Sequence, residues 1–395
     1  MKGWLWIAGA GLAVVPWIAL RAGGVHEPPY LVAALAGMAI LGAAFLLSWA
    51  SEVVQLDISQ ALAVVILSLI AVLPEYSVDM YFAWRAGQDP TYAQYAVANM
   101  TGANRLLIGI GWAVVVLVFW WRTKSRQVDL AEHETLELSV LAMATLYAFL
   151  IPLKANLSIF DAAILLALFG GYAYATARQA PEEPELVGPA LAIGSLPTGP
   201  RRAVTIGLFF FAAAAILISA EPFAEGLVAT GSQLHIDEFF LVQWLAPFAS
   251  EAPEFIVAVL FVIRGHPHLG LRTMISSKVN QWTLLVGLLP LVYALSAGRL
   301  APLVLDTRQA EEVFLTAAQS AFALVMVAGL GLSVRGAIAL AVLFLAQFLF
   351  PETRLAVAVI YLLLTIGILA FDRKRMRLLA RSPGRLLWPA SRRQE

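Results

Sequence analysis

Residues 70–85, IAVLPEYSVDMYFAWR, and residues 249–264, ASEAPEFIVAVLFVIR, are two similar stretches of one chain. Each holds a Pro-Glu pair at the same place, and the two glutamates, Glu75 and Glu254, lie 179 residues apart. Both acids interrupt long apolar segments, and because a carboxylate at bilayer depth costs several kcal/mol, its presence there indicates a function. The sequence therefore predicts a duplicated membrane unit with a functional acid in each copy.

The composition is that of a membrane protein. Of the 395 residues, 61% are hydrophobic and only 13% are charged, whereas soluble domains carry about 25% charged residues. Cysteine is absent, which excludes disulfides and thiolate metal sites. No basic stripe predicts nucleic-acid binding, and no Walker A motif predicts nucleotide binding.

Twelve apolar segments predict an all-α, polytopic membrane protein with about 12 transmembrane helices. Each is continuously apolar and too long for a barrel strand, and about 20 residues of helix cross the hydrocarbon core. The segments are 4–21, 30–50, 58–85, 93–121, 136–153, 158–178, 202–220, 236–264, 271–296, 311–330, 335–350 and 354–371.

The basic residues predict the orientation. With both termini in the cytoplasm, 18 Lys and Arg lie on the inner side and six on the outer side, while Arg105 and Lys278 lie within segments. Basic residues accumulate in cytoplasmic loops, so we expect a multi-pass protein of the plasma (inner) membrane. The two similar stretches then cross the bilayer in opposite directions, which makes an inverted repeat.

The repeats organise the whole chain. We predict two inverted repeats of five helices, with one added helix at each end and a flexible Pro- and Glu-rich cytoplasmic linker between the halves. The predicted units are the N-terminal helix 1–25, repeat 30–178, linker 179–201, repeat 202–350, the C-terminal helix 354–371 and a basic cytoplasmic tail 372–395.

Helix spacing places polar residues at one depth. Asn99 follows Glu75 by 24 residues and Lys278 follows Glu254 by 24 residues. Each residue is then about 18 Å from the turn of its hairpin. The sequence therefore predicts that each acid faces a polar residue at the membrane midplane.

Further acids and prolines predict a cation site there. Asp79 lies one turn after Glu75, and Glu251 lies one turn before Glu254, so each pair shares a helix face. A proline in each motif leaves backbone carbonyls without their usual donor. Carboxylates and carbonyls are the ligands of hard cations such as calcium. All five histidines lie at loops or helix ends, outside the predicted site.

These features resemble the calcium/cation antiporter superfamily, which includes sodium/calcium and cation/proton exchangers. The resemblance covers about residues 30–350 and rests on Leu73-Pro74-Glu75, Ala252-Pro253-Glu254 and the segment 98–104, ANMTGAN. It implies that Glu75 and Glu254 bind the transported cation as metal ligands, that Asn99 assists them, and that Ser250 replaces a threonine of the family pattern.

The sequence also departs from the family pattern. Lys278 stands where the family has an asparagine, Glu251 replaces a serine, and Arg105 follows Asn104. We hypothesise that the Lys278 ammonium replaces one transported cation. Arg105 is predicted to pair with Asp79 or Glu75, although both acids remain candidate ligands themselves. Asn104 and Asn280 are candidate residues of the ion pathway.

The predicted function is secondary active antiport of calcium or another divalent cation against sodium or protons, by alternating access and without a cofactor. The expected partners are small cations (Ca²⁺, Na⁺, H⁺) and the lipid bilayer; the oligomeric state does not follow from the sequence. Three alternatives stay open: a sodium/proton antiporter on the same scaffold, an intramembrane enzyme, and a scaffold that does not transport.

Overall fold

A computed structural model describes residues 2–24, 27–59, 72–131, 134–179 and 184–372. Within these residues, ten helices are long and apolar enough to cross a membrane. Many large apolar side chains on the surface, such as Phe160 and Phe210, are exposed as they would be toward lipid. The predicted all-α, polytopic fold is confirmed. The predicted tail beyond residue 372 and residues 60–71 of the first motif segment lie outside the described residues.

The described part of the first half of the chain contains eight α-helices, because the polar backbone groups of a chain in a bilayer must satisfy their hydrogen bonds within each segment. They are α1 (Lys2–Ala22), α2 (Pro29–Val54), α3 (Leu73–Gln88), α4 (Ala93–Leu106), α5 (Ala113–Thr123), α6 (Thr135–Ala148), α7 (Leu150–Lys154) and α8 (Ile159–Thr176). A π-helical segment, Leu107–Trp112, joins α4 to α5 in one continuous rod.

The second half adds eight more helices in the described part of the chain. They are α9 (Pro189–Gly194), α10 (Thr198–Leu234), α11 (Glu238–Ile263), α12 (Pro267–Asn280), α13 (Val286–Ala297), α14 (Thr307–Val327), α15 (Val334–Leu349) and α16 (Arg354–Phe371). A second π-helical segment, Gln281–Leu285, joins α12 to α13.

Two short strand pairs connect the halves. Strand β1 (Gln127–Asp129) pairs antiparallel with β4 (Gly331–Ser333), and β2 (Asn156–Leu157) pairs antiparallel with β3 (Leu303–Val304). Each pair thus contains one strand from either half of the chain, so the halves are tied together by backbone hydrogen bonds as well as by packing.

Two predicted element boundaries differ from the structure. Segment 202–220 was expected to end before a loop, but α10 continues as one helix to Leu234 through Pro222. The predicted linker contains helix α9, whose Ala190 and Ile193 are fully buried and which packs against α1 and α2. An apolar surface on α9 stabilises this segment, which composition alone marks as a loop.

The site helices lie at the centre of the molecule. Helix α11 packs against α4, α12 and α3, and α4 packs against α14. Gly102 of α4 lies against the backbone carbonyl of Gln243 in α11, so a larger side chain at this position would clash with backbone. This close approach brings the second site helix of one half against the first site helix of the other.

Candidate cation site

Four acidic side chains meet at the centre of the helix bundle. Glu75 and Asp79 come from the first two turns of α3, while Glu251 and Glu254 come from the middle of α11. Glu75, Asp79 and Glu251 are at most 2% exposed. Glu254 is half-buried, so the structure places three of the four acids fully inside the bundle.

The side chain of Gln281 joins acids from the two halves. Its amide nitrogen Nε2 donates to Glu75 Oε2 at 2.9 Å and to Glu251 Oε1 at 3.0 Å. Gln281 is fully buried at the start of the second π-helical segment. From the sequence, Gln281 is a polar residue that could line a pathway or bridge helices, but a glutamine in an apolar segment does not reveal which distant acids it will contact.

Several acceptor atoms at the site have no hydrogen-bond donor among the described residues. These atoms are both carboxylate oxygens of Asp79, Oε2 of Glu251, Oε2 of Glu254 and Oε1 of Gln281. Glu254 lies close enough to Glu75 for the two charges to interact. Buried polar atoms are rarely left without a partner, so these oxygens are available to a cation or to protons.

The other predicted ligands have mixed surroundings. Asn99 of α4 lies beside Asp79, and its carbonyl oxygen Oδ1 has no donor among the described residues. Ser250 instead donates its hydroxyl to Ala246 O and Pro247 O, at 3.2 and 3.3 Å in its own helix. Asn280 is 8% exposed. Asn99 is therefore placed beside the acids, while the Ser250 hydroxyl hydrogen is bound within its own helix and its oxygen lone pairs remain free to accept.

Lys278 is a buried cation next to the acidic cluster. Its ammonium Nζ donates to Asn104 Oδ1 at 2.7 Å and lies 4.1 Å from the centre of the Trp282 ring. Its charge also acts on Glu251. The Asn104 side chain thus accepts a hydrogen bond from the lysine in this structure, and Lys278 places one positive charge beside the carboxylates.

The predicted partner of Arg105 is wrong. Arg105 does not pair with Asp79 or Glu75; its Nη2 lies 2.6 Å from Glu312 Oε2 of α14, and its Nη1 donates to Gln347 at 2.7 Å. The guanidinium also lies 5.1 Å from the Trp244 ring. The Arg105 charge is therefore paired with Glu312 in a buried network of its own, and not with the four acids of the cluster.

Backbone carbonyls add acceptors on α11. Pro247 and Pro253 lie inside this helix, and a proline there removes the donor for a carbonyl one turn earlier. No group of three acidic or histidine side chains in the described ranges is close enough to hold a metal by itself. A cation bound here would therefore need amide or backbone oxygens in addition to carboxylates, as hard cations commonly take.

The sequence pattern of sodium/calcium exchanger proteins matches residues 29–177 and 204–351. The chain belongs to the sodium/calcium exchanger family. Comparison with curated protein sequences finds no match. The members of this family are cation exchangers, which supports cation antiport by this multi-pass membrane protein.

Solved structures of exchangers share the fold. The crystal structure of an H⁺/Ca²⁺ exchanger, CAX, is 44% identical, with 98% of this chain and 99% of that chain covered and a TM-score of 0.91. The structure of native YfkE is 16% identical over 93% and 99% of the two chains, with a TM-score of 0.61. The sodium-calcium exchanger NCX_Mj is 14% identical over 81% and 99%, with a TM-score of 0.55.

Proposed function

We propose that this exchanger moves calcium, or another divalent cation, in one direction and protons in the other, by alternating access to one central site. Glu75 and Glu254 are the central ligands of the cation, and Glu251, Asp79 and Asn99 assist them. The observation that carries the proposal is the amide of Gln281, which joins Glu75 of one half to Glu251 of the other.

Charge balance favours protons as the counter-ion. Three buried acids and the half-buried Glu254 lie near one ammonium, Lys278, because the Arg105 charge is paired with Glu312. Buried charges are costly unless they are paired or neutralised, and burial favours the neutral form of a carboxyl group. Two protons carry the charge of one divalent cation, so their exchange leaves the balance of the site unchanged.

Two further observations support the proposal. The 44% identical structure is that of an H⁺/Ca²⁺ exchanger. The strand pairs also have the pattern expected of two halves related by a two-fold axis, since β1 with β4 and β2 with β3 are each a pair between halves. Inverted halves of this kind are the usual basis of alternating access.

The second candidate is sodium/proton antiport. The observation in its favour is Lys278, whose buried ammonium lowers the negative charge left for a transported cation. Because this ammonium offsets one carboxylate charge, a monovalent cation would balance the remaining negative charge more easily than a divalent cation would.

Flux through purified protein in liposomes separates these functions. We expect calcium-45 to enter vesicles with an acidic lumen, because protons leaving the vesicle drive it inward. Uptake driven by a sodium gradient alone would assign sodium as the counter-ion, and sodium-22 uptake without calcium uptake would favour the second candidate.

Amide substitutions test the ligands. Glu75→Gln and Glu254→Gln keep the shape of the side chain and remove the charge that attracts a cation, so each is expected to abolish calcium uptake. Glu311→Gln is the matched control, because Glu311 lies outside the cluster and contacts Arg354 at 3.6 Å. Calcium uptake by the Glu75→Gln/Glu254→Gln double variant would overturn the ligand assignment.

A further inference from the structure

One carboxylate near the end of α10 collects several partners from the α3–α4 hairpin. Glu225 Oε1 accepts from the Tyr81 hydroxyl at 2.5 Å, and Glu225 Oε2 accepts from the Tyr92 hydroxyl at 2.9 Å. Arg85 Nε lies 3.6 Å from Glu225 Oε1, and its guanidinium lies 4.8 Å from the Tyr92 ring. We call these four residues, Tyr81, Arg85, Tyr92 and Glu225, the outer clasp.

The outer clasp lies between the acids and one face of the membrane. Tyr81 follows Glu75 by six residues in α3, which is about 9 Å along the helix axis. That direction leads to Arg85 and the turn before α4, on the face predicted to be outside. Because Glu225 belongs to α10, the clasp fastens the first helix of the second predicted repeat to the site hairpin of the first repeat.

The opposite face has a corresponding pair of charges. Arg264 occupies the position of Arg85 in the second of the two similar stretches, ten residues after its motif glutamate. Glu52 lies near the end of α2, the first helix of the first predicted repeat, and α2 packs against α11 as α10 packs against α3. Arg264 directly follows α11, so Glu52 and Arg264 lie at the ends of two packed helices. We call Glu52 and Arg264 the inner pair.

The outer clasp and the inner pair differ in whether their residues are in direct contact. The outer clasp is joined by direct contacts, whereas no ion pair joins Glu52 to Arg264, and Arg264 is exposed. Glu52 Oε1 has no donor in the described part of the chain, and its Oε2 has only a long contact, 3.5 Å, with the Val187 backbone nitrogen. In this structure the outer contact is therefore made and the equivalent inner contact is not.

We propose that the outer clasp and the inner pair close alternately, and that each closure seals the path from the central acids to its own face. The proposal rests on the alternating access proposed above. Glu225 and Glu52 act as positioning residues. Each fastens the first helix of its own predicted repeat to the other repeat, and transport requires one of these contacts to break before the other forms. The structure corresponds to the state sealed by the outer clasp.

A reversible cross-link tests whether the outer clasp must open. Because the chain has no cysteine, Tyr81→Cys with Glu225→Cys introduces the only two thiols, and a short bis-methanethiosulfonate reagent can bridge them. We expect the bridge to stop calcium uptake and dithiothreitol to restore it. Uptake by the bridged protein at the rate of the unbridged one would overturn the proposal.

The second measurement follows the approach of Glu52 and Arg264 and does not depend on transport. Glu52→Cys with Arg264→Cys is bridged by the same reagent, and the rate of bridging reports how often this pair approaches. In a Tyr81→Phe/Tyr92→Phe background we expect bridging about tenfold faster, because two hydrogen bonds to a carboxylate are lost from the competing closure. An unchanged rate would overturn alternation.

A matched control lies on the same face as the outer clasp. Asp237 pairs with Arg308 at 2.5 Å, between α11 and α14 rather than between α10 and α3. Asp237→Asn is therefore expected to leave inner bridging unchanged; an equal acceleration in this variant would show a general loosening and overturn the assignment to the clasp. If calcium is not transported but the bridging rate still responds, the proposed cargo is wrong and the clasp stands.

Discussion

At the scale of single residues, Lys278 offers the sharpest test of how the site balances charge. Its ammonium lies beside the acids, held by Asn104 at 2.7 Å. Lys278→Asn removes one fixed positive charge, so the site must bind one more mobile positive charge for the same balance. We expect the number of protons exchanged for each calcium ion to rise, measured as the ratio of proton flux to calcium-45 flux in liposomes.

Arg299→Asn is the control for this experiment. Arg299 is exposed in the loop before β3, and its substitution removes the same formal charge far from the acids. Its ratio of proton flux to calcium flux should equal that of the wild type. An identical ratio in Lys278→Asn and the wild type would mean that the ammonium does not replace a transported cation.

The acids could be predicted from the sequence, but their contacts could not. A carboxylate in an apolar segment is conspicuous because its burial is costly, and its duplication points to a shared site. The Gln281 bridge and the Arg105–Glu312 pair join residues 206 and 207 positions apart. Glu312 lies near the start of α14, at a place where an acid is ordinary in sequence, so nothing marked it as the partner of Arg105.

At the scale of helices, the Arg105–Glu312 network joins α4, α14 and α15. Arg105→Met leaves the nearly buried Glu312 carboxylate without its close partner, and breaking such a pair typically costs about 3–5 kcal/mol. We expect a loss of this size in the free energy of unfolding, measured by denaturant titration in detergent. Arg105→Met with Glu312→Leu should recover most of the loss, because both charges are then removed.

The exposed pair Arg308–Asp237 provides the comparison. Its side chains are 33% and 46% exposed, and exposed pairs contribute only about 0–1 kcal/mol. Arg308→Met should therefore change the free energy of unfolding by no more than that. A similar loss in Arg105→Met and Arg308→Met would show that burial does not set the strength of the Arg105 pair.

The positions of the helices could be predicted from the length of the apolar segments, whereas the ends of the helices depended on tertiary contacts. The rod from α4 to α5 corresponds closely to the predicted segment 93–121. Helix α10 runs past its predicted end because Glu225, which reads as a loop residue, is satisfied by Tyr81 and Tyr92. Those partners come from the other half of the chain, so composition within a window around α10 could not reveal them.

At the scale of the whole molecule, the orientation in the membrane is the property most open to a direct test. Basic residues predict that the β1–β4 pair lies on the inner face and the β2–β3 pair on the outer face. Ser125, just before β1, and Leu300, just before β3, are both exposed. Single cysteines at these positions give one probe for each face.

We expect a membrane-impermeant maleimide to label Leu300→Cys in intact cells and to label Ser125→Cys only after permeabilisation. An even number of spans then places both termini in the cytoplasm, with the outer clasp facing outside. The opposite labelling would reverse the orientation: the charge bias would then fail as a guide to this protein, and the inner pair would face the outside. Equal labelling of both sites in intact cells would mean that the chain inserts in both orientations.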